Sequence, residues 1–310
     1  MHLTFAFCTY NRATRLERLV ATMRAQDCPI PFEILAVNNN SQDDTLAVLD
    51  TLARQPGAPL RVVTERQQGI VPARNRAIAE ALDSDILVFI DDDELPLPGI
   101  LNAVCDAILN QAAQCAGGEI TVDFSEHKRP DWLEDELLGF LAEVDHGAAA
   151  FWITDTSTPI WTSNIAYDMR IFRDYPELRF DSRYNRVGSD VGGGEDAMML
   201  RALLSRGARI CYRPDMRVLH AVEPWRLRRT YFLRLHFRAG VRHGQFQLPS
   251  YPRTVLGVPP FLLRQFLHHA FKALGMQFLL RRGALRQTMN AAHALGGMLG
   301  YRRRTLARPS

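Results

Sequence analysis

The chain has 310 residues, a mass of 35.1 kDa and 47% hydrophobic residues, so it can bury a large core in one long domain or one domain with an appendage. Its five cysteines are widely spaced and form neither a CxxC pair nor a zinc pattern, which excludes a disulfide scaffold and favours reduced thiols. No uncharged apolar run reaches the length of a membrane span. The first seven residues predict a buried strand rather than a signal peptide.

The net charge of +3 conceals a division of charge along the chain. Residues 224–310 contain 15 Arg, one Lys and no acidic residue, a formal charge of +16, whereas residues 1–223 carry −13. A basic, aromatic segment behind an acidic body predicts an anionic partner for that segment, either lipid head groups or nucleic acid.

Short apolar runs alternate with helical patterns in the first third of the chain. Strands are predicted at 3–8, 33–37, 60–63 and 86–90, with helices between them at about 14–26, 43–52 and 69–82. This alternation predicts an α/β fold, a mostly parallel sheet with helices on both faces. The first strand is followed by no GxGxxG and the chain contains no GxxxxGK[ST], which disfavours the dinucleotide-binding and P-loop classes.

The rhythm changes after a predicted helix at 99–115 and strand at 117–124. An irregular segment follows, and then a strand at 161–167, a glycine-rich loop at 188–194, a helix from Glu195 and a last strand at 209–212. We therefore predict a domain over 1–223, with halves at about 1–122 and 123–223, and a helical tail over 224–310.

The tail has an amphipathic pattern. One side of residues 261–280 carries Phe261, Leu262, Phe266, Leu267, Phe271, Leu274 and Phe278, and the other carries Arg264, His268 and Lys272. A second helix at 285–299 repeats the spacing. Such stripes commonly face a protein core, but the absence of acids favours a helix that lies in the plane of an anionic membrane.

Four acidic residues, Asp91–Glu94, directly follow the apolar strand at 86–90. Asp91 and Asp93 point the same way if strand geometry persists, so they can share one ligand assembly. Hard divalent cations such as Mg²⁺ bind one or two carboxylates and complete their shell with phosphates and water. The stretch alone fits equally a metal–nucleotide site at the carboxyl end of a central strand or a solvated acidic turn.

Two further positions could carry chemistry. Glu195 and Asp196 begin a helix after glycines, where a carboxylate is normally structural but could also serve as a general base. His220 follows the last predicted strand and would be a metal ligand only in company with Asp93.

Six motifs in order resemble the family 2 glycosyltransferases, which have the GT-A fold. They are Thr9–Arg12, the strand end Val37–Ser41, Gly69 with Ala73–Asn75, Phe89–Glu94, Thr162–Asn164 and Gly193–Asp196. The acidic stretch, the Gly-Gly-Glu-Asp run and the Arg-rich tail are most similar to bacterial exopolysaccharide glucosyltransferases of the succinoglycan type. The resemblance covers roughly residues 3–240.

The resemblance implies inverting transfer of a hexose from a nucleotide sugar, assisted by Mg²⁺ or Mn²⁺. It assigns the donor to Thr9, Arg12, Asn38, Arg74, Asp91 and Asp92, with Asn38 near the base and Arg74 near the diphosphate. It assigns the metal to Asp93 and His220, base catalysis to Asp196 with Glu195 beside it, and the acceptor to Trp161 and Asn164. Asp92 and Glu94 point away from Asp91 and Asp93, so an indirect or structural role is expected for both.

Asn38 departs from the family, which usually has Asp there; an amide offers donors as well as an acceptor, so base preference is open and UDP is favoured. Family and tail together predict a polyprenyl-diphosphate-linked saccharide acceptor, an anionic membrane surface and no nucleic acid as partners. The expected location is the cytoplasmic face of the inner membrane, held peripherally. The alternatives are a membrane-tethered nucleotide-sugar-binding protein without transfer activity and a nucleotidyltransferase, although the body has only Lys128 to bind phosphate.

Overall fold

The computed structural model describes residues 1–188 and 190–306. Ser189, in the predicted glycine loop, and residues 307–310 of the predicted tail lie outside the described residues. The described chain forms two compact units, one of residues 1–188 and 195–222 and the other of residues 190–194 and 223–306.

The first unit is built on a nine-stranded sheet. Its strands are β1 (Leu3–Thr9), β2 (Phe32–Asn38), β3 (Leu60–Thr64), β4 (Ile86–Ile90), β5 (Glu94–Pro96), β6 (Cys115–Asp123), β7 (Phe151–Ile153), β8 (Asn164–Asp168) and β9 (Ile210–Ala221). Its α-helices are α1 (Leu16–Arg24), α2 (Thr45–Ala53), α3 (Ile70–Glu80), α4 (Ile100–Cys105), α5 (Arg170–Asp174) and α6 (Glu195–Ser205).

The strand order is β3-β2-β1-β4-β8-β6-β9-β5, and β7 pairs with β9. Strands β1 to β4 are parallel, and β8 is antiparallel to both of its neighbours, β4 and β6. Because β6 and β9 are parallel to each other, six of the nine strands run in one direction. The predicted α/β, mostly parallel sheet is confirmed, and β8 makes it a mixed sheet.

The apolar run at 86–90 forms the centre of this sheet. All five residues of β4 are buried. Since successive side chains of a strand point to opposite faces, both faces of the sheet are covered at β4, as predicted. An uninterrupted apolar run, rather than an alternating one, is what such a position requires.

Two predicted elements end elsewhere. The helix predicted at 99–115 is only α4, which is followed by a π-helical turn over Asp106–Asn110. The strand predicted at 209–212 continues to Ala221 as β9, past an irregularity in its pairing with β6 between Gly118 and Glu119. The longer β9 carries His220 into the sheet.

The second unit contains helices α7 (Arg229–Arg242), α8 (Pro260–Phe278) and α9 (Ala284–Leu306). Helices α7 and α9 touch through their backbones at glycines. A Cβ atom on Gly240 would lie 2.0 Å from the carbonyl oxygen of His293, and one on Gly296 would lie 2.1 Å from that of Phe237. Among the described residues, no helix is both long enough and apolar enough to cross a membrane.

The structure changes the predicted apolar side of α8. Leu262 is buried with Leu248 and Tyr301, and Phe261 packs against that cluster. These residues therefore belong to the core of the helical unit. Leu267, Phe271, Leu274 and Phe278 of the predicted apolar side are exposed, together with Leu263, which the prediction did not include. These five residues form a stripe separate from the buried cluster.

Replacing Gly296 by Ala should destabilise the helical unit by about 1–3 kcal/mol, because the added methyl group forces two backbones apart. The midpoint of denaturant unfolding measures the change. Gly275→Ala is the matched control, since nothing lies within 4 Å of its Cβ position in α8. That control should be neutral or slightly stabilising. Equal effects of the two substitutions would contradict close helix packing.

Candidate active site

The sheet topology gathers the predicted site residues at one edge. Thr9 and Asn38 are paired at the carboxyl ends of the parallel strands β1 and β2. Asn164 begins the antiparallel strand β8 opposite the last residue of β4. His220, near the end of β9, pairs with Glu94 of β5. The predicted convergence of these strand ends is therefore present in the fold.

The four acids after β4 face different partners. Asp91 lies 3.1 Å from Arg74, and Asp92 lies 3.9 Å from Arg12. Glu94 is buried and accepts a hydrogen bond of 3.0 Å from the backbone of Asp91. This division agrees with the expected structural role of Glu94, which closes the turn.

Burial controls the protonation of two of these acids. It raises the pKa of Glu94 to about 8, and a hydrogen bond with His220 offsets only part of that effect. Burial, reinforced by the charge of Asp93, raises the pKa of Asp92 to about 7. When no cation is bound, protonation of Asp92 and Glu94 therefore lowers the negative charge of this turn of four carboxylates.

Arg74 lies in the centre of the site. Its side chain is 2% exposed and bonds Asp91 at 3.1 Å, Glu195 at 3.2 Å and Asp196 at 2.8 Å. Burial opposes its charge, but the attraction of Asp196, Asp91 and Glu195 prevails and raises its pKa. Among these carboxylates the guanidinium joins the acidic turn to the start of α6. Its predicted place near the donor diphosphate stays a prediction.

Asp196 is held by two donors. The same carboxylate oxygen, Oδ1, accepts hydrogen bonds from Arg74 and from the hydroxyl of Thr162. The neighbouring Glu195 is almost fully buried, and burial followed by the charge of Asp196 raises its pKa. Two adjacent carboxylates therefore have different environments, and only Asp196 is partly accessible, with 19% of its side chain exposed.

A pocket opens beside this cluster within the first unit. It is lined by Cys8, Thr9, Tyr10, Arg12, Asn39, Gly69, Ile70, Ala73, Asp92, Arg186 and Gly188. Three of these, Thr9, Arg12 and Asp92, were predicted from the sequence. Arg186 was not, because it lies in an irregular segment with no periodic pattern.

The asparagines after β2 shape one wall of the pocket. Asn38 is buried and accepts a hydrogen bond from the backbone of Ser41. Asn39 donates to the carbonyls of Glu65 and Gln67 and accepts from the N–H of Gly69. Asn39 thus ties the end of β2 to the start of α3, a role the sequence alone did not reveal.

The two predicted acceptor residues differ in their surroundings. Asn164 is fully buried and donates to the carbonyl oxygens of Glu119 and Met216, each at 2.9 Å. A side chain used in this way supports the sheet, and the direct contact of Asn164 with the acceptor stays a prediction. Trp161 is half-buried against the main core and remains a candidate.

Asp93 and His220, the two predicted metal ligands, lie close together. Asp93 Oδ1 lies 3.7 Å from His220 Nδ1. Across the described residues, no three His, Cys, Asp or Glu side chains are grouped so that they could hold a metal. A carboxylate and an imidazole fit an ion that takes its remaining ligands from substrate phosphates and water.

Comparison with solved structures identifies the fold class. The mannosyltransferase PcManGT from Pyrobaculum calidifontis, in complex with GDP-Man and Mn²⁺, superimposes with a TM-score of 0.62 and 18% identity, covering 96% of this chain and 86% of that one. S. aureus TarS 1–349 in complex with UDP gives 0.56 and 17%, covering 95% and 90%. These likenesses show a GT-A-like fold.

The family follows from the sequence match. Residues 4–188 match glycosyl transferase family 2, so the chain belongs to this family. The uncharacterised glycosyltransferase YfnE of Bacillus subtilis is 34% identical over 87 residues, 28% of this chain and 21% of YfnE. The match thus spans about a fifth of that relative's length.

Substitution of Arg74 by Met should cost about 3–5 kcal/mol of unfolding free energy, because it leaves buried carboxylates without their cation. Arg76→Met is the matched control in the same helix. Arg76 is partly exposed and forms an ion pair with Glu80, one helical turn further along. That control should cost no more than about 0.5 kcal/mol. Thermal and denaturant unfolding measure both, and equal losses would contradict the central role of Arg74.

Proposed function

We propose that the protein transfers a hexose, with inversion, from a nucleotide sugar to a hydroxyl group of a saccharide. The observation that carries the proposal is the position of Asp196. The guanidinium of Arg74 bonds both Asp196 and Asp91. The same unit contains a pocket lined by Thr9, Arg12 and Asp92. A carboxylate base beside a donor pocket is what direct displacement at an anomeric carbon requires.

The residues divide the reaction between them. Arg74 and Thr162 hold Oδ1 of Asp196, so its second oxygen can accept the proton of the attacking hydroxyl. Arg12 and Arg186 line the pocket and supply positive charge for the donor phosphates. Asp93 and His220 would hold Mg²⁺ or Mn²⁺, which would neutralise charge on the departing nucleoside diphosphate.

The donor is proposed to be UDP-linked. Asn38 stands where the family usually has an acidic residue. Its amide offers hydrogen-bond donors as well as an acceptor, so it can pair with uracil or with another base. The two structural neighbours were solved with GDP-Man and with UDP. Donor binding should therefore be tested with both GDP-linked and UDP-linked sugars.

Asp196→Asn should keep donor binding and lower transfer by at least about 10²-fold, because the amide cannot accept the proton. Release of nucleoside diphosphate measures transfer, and calorimetric titration measures donor binding. Normal transfer by Asp196→Asn would refute the assignment of the base.

The same assay separates the alternatives. A nucleotidyltransferase would release pyrophosphate instead of a nucleoside diphosphate. A nucleotide-sugar-binding protein without transfer activity would bind the donor and release neither product. Either result with the unaltered protein would overturn the proposed reaction.

We further propose that the acceptor is a polyprenyl-diphosphate-linked saccharide and that the enzyme works at the cytoplasmic face of the inner membrane, in bacterial surface polysaccharide synthesis of the succinoglycan type. Support comes from the helical unit, where residues 224–310 carry +16 and no acid. On α8, Phe271 is 70% exposed and Phe278 is 88% exposed. Apolar side chains beside Arg and Lys fit the surface of an anionic bilayer.

Changing both Phe271 and Phe278 to Glu should reduce flotation with anionic liposomes at least about tenfold, because it removes buried apolar area and adds repulsion. Leu46→Glu is the control, an exposed leucine of the first unit that should float normally. A DNA mobility shift by the unaltered protein, without flotation, would show instead that the basic segment binds nucleic acid.

A further inference from the structure

Cys28 and Cys105 lie side by side although 77 positions separate them in the sequence. Their sulfur atoms are 3.9 Å apart and share a hydrogen bond. Cys28 lies in the loop between α1 and β2 and is half-buried, whereas Cys105 is the last residue of α4 and is 3% exposed. The arrangement places one accessible thiol directly in front of a protected one.

We propose that Cys28 and Cys105 form a reversible redox site that reacts with hydroperoxides and closes to a disulfide. This site is separate from the proposed transfer chemistry, since neither cysteine belongs to the acidic turn, the Arg74 cluster or the donor pocket. The proposal therefore does not depend on the identity of the donor or the acceptor.

The two thiols have opposite reactivity. The hydrogen bond from Cys105 lowers the pKa of Cys28 to about 7, although partial burial opposes the change. The same hydrogen bond and burial raise the pKa of Cys105. Cys28, which is also the more exposed of the two, is therefore the thiol that forms a thiolate more readily and attacks first, while Cys105 keeps its proton.

The chemistry balances in two steps. The Cys28 thiolate attacks the terminal oxygen of a hydroperoxide, and the O–O bond breaks. The leaving alkoxide or hydroxide takes a proton to become an alcohol or water, and the transferred oxygen makes Cys28 a sulfenic acid. Cys105 then attacks the Cys28 sulfur, its proton leaves with the hydroxide as water, and the disulfide forms. The hydroperoxide accepts two electrons in total, and a dithiol reductant restores both thiols.

Closure would join two parts of the first unit that already touch. The side chain of Gln26, at the end of α1, donates to the carbonyl of Pro96 in β5. The bond between Cys28 and Cys105 would enclose β2, β3, β4 and the acidic turn in one covalent loop. Oxidation is therefore expected to raise the melting temperature of the first unit, because the loop restricts the unfolded chain.

The other cysteines are internal controls. Burial raises the pKa of Cys8 and of Cys115, and it raises that of Cys211 to about 11. These thiols should stay reduced at peroxide concentrations that oxidise Cys28, because the thiolate is the reactive form.

The test treats the full-length protein with hydrogen peroxide, blocks the remaining thiols and maps peptides without reduction. We expect a Cys28–Cys105 cross-link that is reversed by dithiothreitol and is absent from both Cys28→Ser and Cys105→Ser. Pairing of Cys28 with Cys8, or accumulation of sulfinic acid at Cys28 while Cys105 stays reduced, would overturn the proposal.

A second measurement tests the pairing before any oxidation. Alkylation of Cys28 by iodoacetamide should reach half its maximal rate near pH 7, and at that pH the rate should fall about tenfold in Cys105→Ala. If Cys105→Ala folds normally and its rate profile is unchanged, Cys105 does not activate Cys28. That result would refute the site.

Discussion

The site depends on one buried cation. Arg74 is shared by Asp91, Glu195 and Asp196, which come from the acidic turn and from the start of α6. Three carboxylates gathered without it would repel one another and would draw protons or water. With it, the acidic turn and the start of α6 are fixed in position, and the carboxylate of Asp196, the proposed base, is oriented.

The sheet makes this assembly possible through its one central reversal of direction. Strand β8 runs antiparallel between β4 and β6, so that its first residue, rather than its last, meets the end of β4. The extension of β9 then brings His220 beside the turn. The residues predicted to bind the donor come mainly from strand ends in the parallel half of the sheet, and the remaining polar groups come from this mixed half.

Much of this could be predicted because strand ends leave strong local patterns. The apolar run before Asp91 and the parallel strands before it required no tertiary information. The burial of Arg74 could not be predicted, because two of its partners, Glu195 and Asp196, lie far along the chain. The contact between Cys28 and Cys105 could not be predicted either, because 77 positions separate them. On α8 both the stripe with Leu262 and the stripe with Leu263 are apolar, so periodicity alone cannot choose which one is buried.

Strand β5 has a consequence for how the chain can change in length. It pairs through only three residues, which place Glu94 opposite His220, Leu95 opposite Leu219 and Pro96 opposite Val218. One inserted or deleted residue before Glu94 would turn each of these side chains to the other face of the sheet. The number of residues between β4 and β5 therefore cannot vary without dismantling the turn.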